Sequence, residues 1–305
     1  MLSENNPAVT VCVITHSKRL SSFNKMLTYL EKAALRYEGN TSLLVGNNSG
    51  VTYRETVCKA LTDSNLGKAL AWKVVDSPEN NIAVGRNTVL DNAVTDWVAF
   101  IDDDEYPSDL WLRTLIETMQ EYSCAIVAGP IIPVFPKNTV NWVSKVDIHN
   151  ASDLVTGSKL DFAASGNFLV HLPSTNGARF NPEFGKTGGS DTDYFIRLTS
   201  KPKPLEIVWA EEAVVYEEIP ADRATRIYTM KRFLSQGSNF KRIMIKNGKV
   251  KSIPLFYLKA ITVCIISLCV AVPLVLAGSE SAGNWIKRGI SNLGKLYDPS
   301  SDLYW

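Results

Sequence analysis

The chain is poor in cysteine. Its 305 residues hold five, at positions 12, 58, 124, 264 and 269. None belongs to a Cys-x-x-Cys pair or stands at zinc-ligand spacing from a histidine, so neither a disulfide framework nor a structural zinc site is indicated. Two of them lie in an apolar run, and all five read as small buried hydrophobes in a reducing compartment. No Gly-x-Gly-x-x-Gly or phosphate-loop pattern is present, which weakens dinucleotide-binding and kinase-like readings. There is no internal repeat and no low-complexity tract. The N-terminal Met1-Leu-Ser-Glu-Asn-Asn-Pro lacks the basic-then-apolar pattern of a secretory leader.

Net charge is also nearly absent, at +1, but the average hides an asymmetry. Residues 223–259 carry ten Lys or Arg and no Asp or Glu, residues 260–305 balance, and residues 1–222 carry 19 basic and 28 acidic groups, net −9. An acidic body joined to a basic segment points to nucleic acid or an anionic membrane. The next stretch favours the membrane: Ala260 to Ser279 is twenty residues without a charge. As a helix it is about 30 Å long, the thickness of a bilayer core. Pro273 kinks such a helix near its far end, so a spanning pose and a shallow or re-entrant one are both open. The basic residues before it place 1–259 in the cytoplasm. The resulting expectation is a body of residues 1–222, a basic helical membrane-proximal segment 223–259, a membrane-inserted segment 260–279 and a tail 280–305.

Within the body, short β-branched runs alternate with helical patterns. Val9–Ile14, Thr41–Val45, Ala71–Val75 and Trp97–Ile101 read as strands; Leu20–Tyr37 and Asn87–Val94 have helical spacing, and Trp111 opens another helix. This alternation predicts βαβ units and an α/β fold with a mainly parallel, Rossmann-like sheet. Ala125–Pro130 and Phe168–His171 read as later strands. Pro133 to Leu160 is polar and irregular and reads as a loop region facing substrate.

Each early strand ends in a polar cluster: Thr15-His16-Ser17-Lys18-Arg19, then Asn47-Asn48-Ser49, then Asn80 to Asn87, then Asp102-Asp103-Asp104-Glu105. In a doubly wound sheet these converge on one edge and form a nucleotide-sized cleft. Four adjacent carboxylates repel one another, and a divalent cation with a preference for hard oxygen ligands, Mg2+ or Mn2+, removes that cost. Such a cation can hold a diphosphate as leaving group. An acidic turn after an edge strand is the alternative. Arg86 is a candidate phosphate contact, or a surface residue at a helix start. A second cluster is Gly188-Gly189-Ser190-Asp191-Thr192-Asp193. The glycines permit close approach of a substrate, Ser190 can cap a helix, and Asp191 can accept a proton from an attacking hydroxyl.

In order, Thr15-His16, Asn80-x-Ile82 to Gly85-Arg86-Asn87, Phe100-Ile-Asp-Asp-Asp-Glu105, Gly129-Pro130, Gly166-Asn167-Phe168, Gly188-Gly189-Ser-Asp191-x-Asp193 and Glu217-x-Ile219-Pro220-x-x-Arg223 resemble the inverting glycosyltransferases of family 2, with their GT-A fold. The similarity covers roughly residues 8–240 and is nearest to bacterial exopolysaccharide enzymes. It implies a metal-dependent hexosyltransferase that uses a nucleotide sugar, a UDP-sugar by expectation, with Mn2+ or Mg2+ at an Asp-x-Asp motif. Asp102 and Asp104 match that motif, and Asp104 or Glu105 reaches the metal, with Glu217 standing where many relatives place a metal-binding His. Thr15, His16, Arg86, Asp102 and Asp103 are implied donor contacts. Gly46 replaces the Asp that commonly meets the nucleobase, leaving Asn47 or Asn48 to take over. Asp191 matches the catalytic base, although Ser190 replaces the usual preceding Glu. Gly188, Gly189, Asp193, Arg223, Arg226 and Arg232 are expected on the acceptor or its diphosphate. The Gln-x-x-Arg-Trp signature of processive synthases is missing, which favours transfer of one sugar. The expected partner is a polyprenyl-diphosphate-linked saccharide at the cytoplasmic face of the bacterial inner membrane, with no nucleic acid. The competing readings are a GT-A-like nucleotidyltransferase and a non-catalytic membrane adaptor that kept the fold. The first lacks the glycines expected after strand one, and the intact Asp102, Asp104 and Asp191 count against the second.

Overall fold

The computed structural model describes residues 6–149, 154–200 and 202–297. The N-terminal Met1–Asn5 and the end of the expected 280–305 tail lie outside the described residues. In chain order the elements are β1 (Val9–Thr15), α1 (Leu20–Leu35), β2 (Thr41–Asn47), α2 (Val51–Asp63), α3 (Asn65–Ala69), β3 (Ala71–Asp76), α4 (Ile82–Asn92), β4 (Trp97–Ile101), β5 (Glu105–Pro107), α5 (Trp111–Tyr122), β6 (Ile126–Ala128) and β7 (Ile131–Val134). There follow α6 (Asn141–Lys145), β8 (Lys159–Leu160), β9 (Asn167–His171), α7 (Ser190–Thr199), β10 (Ile207–Trp209), β11 (Val215–Glu218), α8 (Arg226–Lys246), α9 (Ile253–Leu276) and α10 (Ala282–Gly294).

The chain divides into two compact units. The first comprises Met1–Ile132, Asp153–Lys186 and Ser190–Glu217. Its eight-stranded sheet has the order β3-β2-β1-β4-β9-β6-β10-β8. β3, β2, β1 and β4 run parallel, as do β6 and β10, while β9 is antiparallel to both β4 and β6, so the sheet is mixed but mainly parallel. All seven residues of β1 and all five of β4 are buried, the continuous apolar pattern of strands covered on both faces. α1 buries Phe23, Met26, Leu27, Leu30, Ala33 and Ala34, a stripe at helical spacing that packs into the main core. The register places Thr15 beside Asn47 and Asn47 beside Asp76, so three strand ends open on one edge, as expected from the alternation.

Beyond that edge, Phe100 stacks on Phe168 at 4.8 Å and Phe180 on Tyr194 at 4.2 Å, while Phe168 meets Phe195 edge-on. These rings seat α7 on the sheet. β5 pairs antiparallel with β11, setting Tyr106 against Tyr216 and Glu105 against Glu217.

The second unit comprises Pro133–Ser152, Thr187–Gly189 and Glu218–Trp305. Here the expectation of an irregular, substrate-facing stretch after Pro133 is corrected in part. Trp142, Val143, Val146 and Ile148 are buried and share a core with Ile219, Ala224, Phe233, Ala271 and Ile286. Their apolar side chains are too dispersed among polar ones to show a period, and only contact with α8, α9 and α10 gives them an interior.

Candidate active site

The acidic run leaves β4 as a tight turn, and its four carboxylates take four different environments. Asp103 points inward, 1% exposed; its Oδ2 accepts from the His16 amide at 3.3 Å and its Oδ1 from Arg19 Nη1 at 2.9 Å. The same Arg19 nitrogen lies 2.9 Å from Asp104 Oδ1. Asp102 Oδ1 lies 3.5 Å from Arg86 Nη2. Glu105 folds beneath the turn, where its Oε2 accepts from the Asp102 amide at 3.2 Å. A Cβ at Gly166 would overlap that carboxylate, so glycine is what leaves Glu105 its space. Glu105 was expected among the metal carboxylates; burial turns it instead into a brace under the loop.

Burial pushes the Asp104 carboxyl up to about 7; Arg19 pulls against this, and Asp102, Asp103 and Glu217 add to it. Burial also holds Glu105 well above the carboxylate range, with Asp102, Glu217 and Asp104 contributing. Burial raises Asp103 as well, and Arg19 opposes it. Asp102, Asp103, Asp104, Glu105 and Glu217 are thus gathered close together, with the guanidinium groups of Arg19 and Arg86 beside the turn. Such a concentration of carboxylates suits a divalent cation. Among the described residues no three His, Cys, Asp or Glu side chains close into an ion cage. Mg2+-type ions are commonly held by one or two carboxylates with phosphate oxygens completing the shell, so a hard, open donor pair such as Asp102 and Asp104 fits one. Arg19 was not singled out by the motifs; the available signal was a basic side chain at the end of the first strand.

At the second strand end the structure corrects the expected base contacts. Asn47 is fully buried; its Nδ2 donates to the Gly50 carbonyl and to Asp76 Oδ1, both at 2.8 Å, and its Oδ1 accepts from the Ser49 amide. Asn48 Oδ1 accepts from the Asn81 amide at 3.2 Å, and its Nδ2 donates to Asn80 Oδ1. Both amides are engaged in tying loops together. The charged group they present at this edge is Asp76, held also by Arg54 Nη1 at 2.7 Å.

The third polar cluster is a helix start rather than a loop. Asn81 caps α4, accepting from the Ala83 and Val84 amides, and α4 begins at Ile82, five residues before the helical spacing indicates. Arg86 is therefore a helical residue, 6% exposed, its guanidinium 5.5 Å from the Phe180 ring centre. Its Nη1 donates to Ser190 Oγ at 3.2 Å while Nη2 faces Asp102. One side chain thus joins the acidic turn to the start of α7.

On α7, Asp191 is half-buried and its Oδ1 accepts from the Thr192 amide at 2.7 Å. Asp193 is 1% exposed and ion-paired to Arg197 Nε at 2.9 Å; Arg197 Nη2 in turn donates to the Arg179 carbonyl at 2.6 Å. The expectation that Asp193 meets the acceptor is corrected: it is a buried structural carboxylate.

In the second unit, Gly188 and Gly189 have φ of +82° and +88°, a left-handed backbone that favours glycine. Their neighbour Thr187 is gripped by α8: Asn239 Nδ2 donates to its carbonyl at 2.9 Å and Arg242 Nη1 to its hydroxyl at 3.1 Å. A Cβ on Gly189 would lie 2.7 Å from Ile243 Cδ1, so this glycine admits α8, not only a substrate. Arg223 lies 6.0 Å from the Tyr228 ring centre, Arg226 is the exposed first residue of α8, and Arg232 is half-buried two turns on.

The model of the family "Glycosyl transferase family 2" matches residues 10–175. A succinoglycan biosynthesis protein, ExoM, of Rhizobium meliloti (strain 1021) is 31% identical over 176 residues, which are 57% of this chain and 56% of that protein. The chain thus aligns with little more than half the length of this relative. Among solved structures, the mannosyltransferase PcManGT from Pyrobaculum calidifontis, in complex with GDP-Man and Mn2+, has a TM-score of 0.64 at 14% identity, over 96% of this chain and 86% of that one. TarS residues 1–349 of S. aureus, in complex with UDP-GlcNAc, has a TM-score of 0.52 at 15% identity, over 78% of this chain and 66% of that one.

Proposed function

Since this chain belongs to glycosyl transferase family 2, we propose that it moves one sugar, with inversion, from a nucleotide sugar to a lipid-linked saccharide in exopolysaccharide synthesis. The observation that carries the reading is the link through Arg86: the charge-rich turn at the end of β4 and the start of α7 are joined by one buried guanidinium. On this reading the diphosphate and the base would share one edge of one unit.

In this reading the nucleoside diphosphate lies across the carboxyl ends of β1, β2, β3 and β4, near Thr15, His16 and Asp76. Asp102 and Asp104 would hold Mn2+ or Mg2+ there, with Glu217 nearby, and the cation would supply positive charge to the departing diphosphate. Arg86 adds a fixed positive charge and holds Asp102 and Ser190 in place. Asp191 takes the proton of the acceptor hydroxyl as that oxygen bonds to the anomeric carbon; the bond from that carbon to the diphosphate breaks on the opposite face. One displacement inverts the configuration. The Thr192 amide, which donates to Asp191 Oδ1, orients that carboxylate. Residues 1–222 carry this chemistry, and the basic segment 223–259 serves the acceptor and the cytoplasmic face of the membrane, with Arg223, Arg226 and Arg232 as candidate diphosphate contacts.

The test is an assay of radiolabelled nucleotide sugars against a bacterial membrane fraction, with and without EDTA and with Asp191→Asn. Transfer that needs divalent cation, inverts the anomeric centre and falls at least about 100-fold in the variant supports the reading. Retention of configuration, or nucleoside diphosphate binding unchanged by EDTA, overturns it.

A further inference from the structure

Among the described residues, α9 is the one helix long and apolar enough to cross a membrane, and it does not stand free. Its buried residues, Ala260, Cys264, Ser267 and Ala271, recur at intervals of four, three and four and form one narrow stripe. α10 runs back along that stripe: a Cβ on its Gly289 would lie 2.8 Å from Leu268 and 3.5 Å from Ser267. α10 is sealed in turn to α8, since a Cβ on Gly237 would overlap the Ser291 carbonyl and one on Gly294 the Leu234 carbonyl. Towards the far end of the stripe, Ala271 shares a core with Phe233 of α8, Ile286 of α10, and Trp142, Val143 and Val146. The stripe from Ala260 to Ala271 is about 16 Å long at 1.5 Å per residue, and elements of unit 2 pack on it around Ser267 and Ala271.

A helix crossing a bilayer must carry whatever is packed along it to the same depth. Here that is α10, with Asn284, Lys287 and Arg288, and the segment that holds Asp147, whose carbonyl accepts from Lys287 Nζ and whose amide donates to Asn284. Charged groups are strongly disfavoured at that depth. The rest of α9 has the opposite character: Leu258, Ile261, Ile265, Ile266, Val272 and Leu276 are between 42% and 84% exposed. Exposed Lys249 and Lys251 precede α9, exposed Lys259 lies in its second turn, exposed Arg288 follows on α10, and Trp285 and Tyr297 lie on or just beyond α10.

We propose that α9 lies flat within one leaflet of an anionic bilayer instead of crossing it. A helix about 10 Å across fits a leaflet whose hydrocarbon is about 15 Å deep. The stripe faces up towards unit 2, the exposed apolar faces enter the acyl chains, and α10 lies at headgroup level. There Trp285 and Tyr297 are suited to the interface and the basic side chains to lipid phosphates. This inference stands on unit 2 alone and does not depend on the catalytic reading.

The test uses the full chain in a bacterial host, with Cys58 and Cys269 replaced by Ser and one new thiol placed either in the turn between α9 and α10 (Ser281→Cys) or on α1 (Asn24→Cys). A membrane-impermeant maleimide is applied to spheroplasts and to inverted inner-membrane vesicles. A flat α9 leaves both thiols reactive in inverted vesicles and neither in spheroplasts. Reaction of the Ser281→Cys protein in spheroplasts alone shows a crossing helix and overturns the proposal. In parallel, purified protein is sedimented with phosphatidylglycerol–phosphatidylethanolamine vesicles. Ile265→Asp is expected to lower partitioning roughly 50-fold, the effect of one carboxylate in hydrocarbon, while its circular dichroism melt is unchanged. Partitioning equal to that of the unaltered chain, or no binding by the unaltered chain, overturns the proposal as well.

Discussion

Asp191 and Asp193 stand two residues apart at the start of α7 in different surroundings, the first half-buried and the second buried against Arg197. Asp193→Asn is the informative perturbation. The carboxylate is 1% exposed and paired with Arg197 Nε at 2.9 Å, and Arg197 also holds the Arg179 carbonyl at 2.6 Å. The amide keeps the shape and one oxygen but loses the charge. A hydrogen bond to a charged partner contributes about 1.5–3 kcal/mol. The Arg197 side chain is 32% exposed, so solvent recovers part of that and about 2 kcal/mol of lost stability is expected. At a urea slope of about 2 kcal/mol per M, the unfolding midpoint falls by roughly 1 M. Asp191→Asn removes a half-buried group whose neighbour in the structure is the Thr192 amide, and its midpoint should move by no more than about 0.25 M. The activities should reverse: nucleoside diphosphate release falls at least about 100-fold for Asp191→Asn and by a few-fold at most for Asp193→Asn at low temperature. An inactive Asp193→Asn protein of unaltered stability, beside an active Asp191→Asn protein, would refute the reasoning.

Gly166→Ala should drive a methyl into the buried Glu105 carboxylate and cost about 1–3 kcal/mol in denaturant melts. Combined with Glu105→Ala it should cost less than the two changes summed, and strict additivity would show that the contact is not the cause. Asn81→Ala removes the cap of α4 and the Asn81 link to the Pro182 carbonyl, and should cost about 1–2 kcal/mol by the same measurement. The acidic turn predicts a pH dependence. Asp104 titrates at about 7 in the metal-free fold against an ordinary 3.8. The folded chain therefore holds a proton that the unfolded chain has released, and in EDTA stability should fall as pH rises from about 4 to 7, with Glu105 acting in the same direction. Asp104→Asn should flatten that slope in thermal melts, as should Mn2+ with a nucleoside diphosphate; a melting temperature in EDTA that rises across this range would contradict it.

The first half of the fold was legible because its signals are local. Strands buried on both faces need unbroken β-branched runs, and Val9–Thr15 and Trp97–Ile101 have them. The acidic turn was legible because four carboxylates in sequence are neighbours in any fold. The asymmetry of charge, with ten basic residues in 223–259, and the apolar run after it were likewise visible without coordinates. The roles of single side chains were not, since each depends on a partner far away in the chain. Asn47 and Asn48 look like free amides at a strand end until Asp76 and Asn81 consume them. Glu105 looks like a ligand until Gly166, 61 positions on, gives it a burial site. Arg19 joins the acidic turn, and Arg86 reaches Ser190, across 84 and 104 residues. The membrane question divides the same way. Hydropathy alone marks α9 as apolar enough to enter lipid, because transfer free energy is close to a sum over side chains. The orientation proposed for it rests on packing: the small residues of its buried stripe, spaced at helical intervals, are ordinary in sequence and acquire meaning only when α10 lies against them.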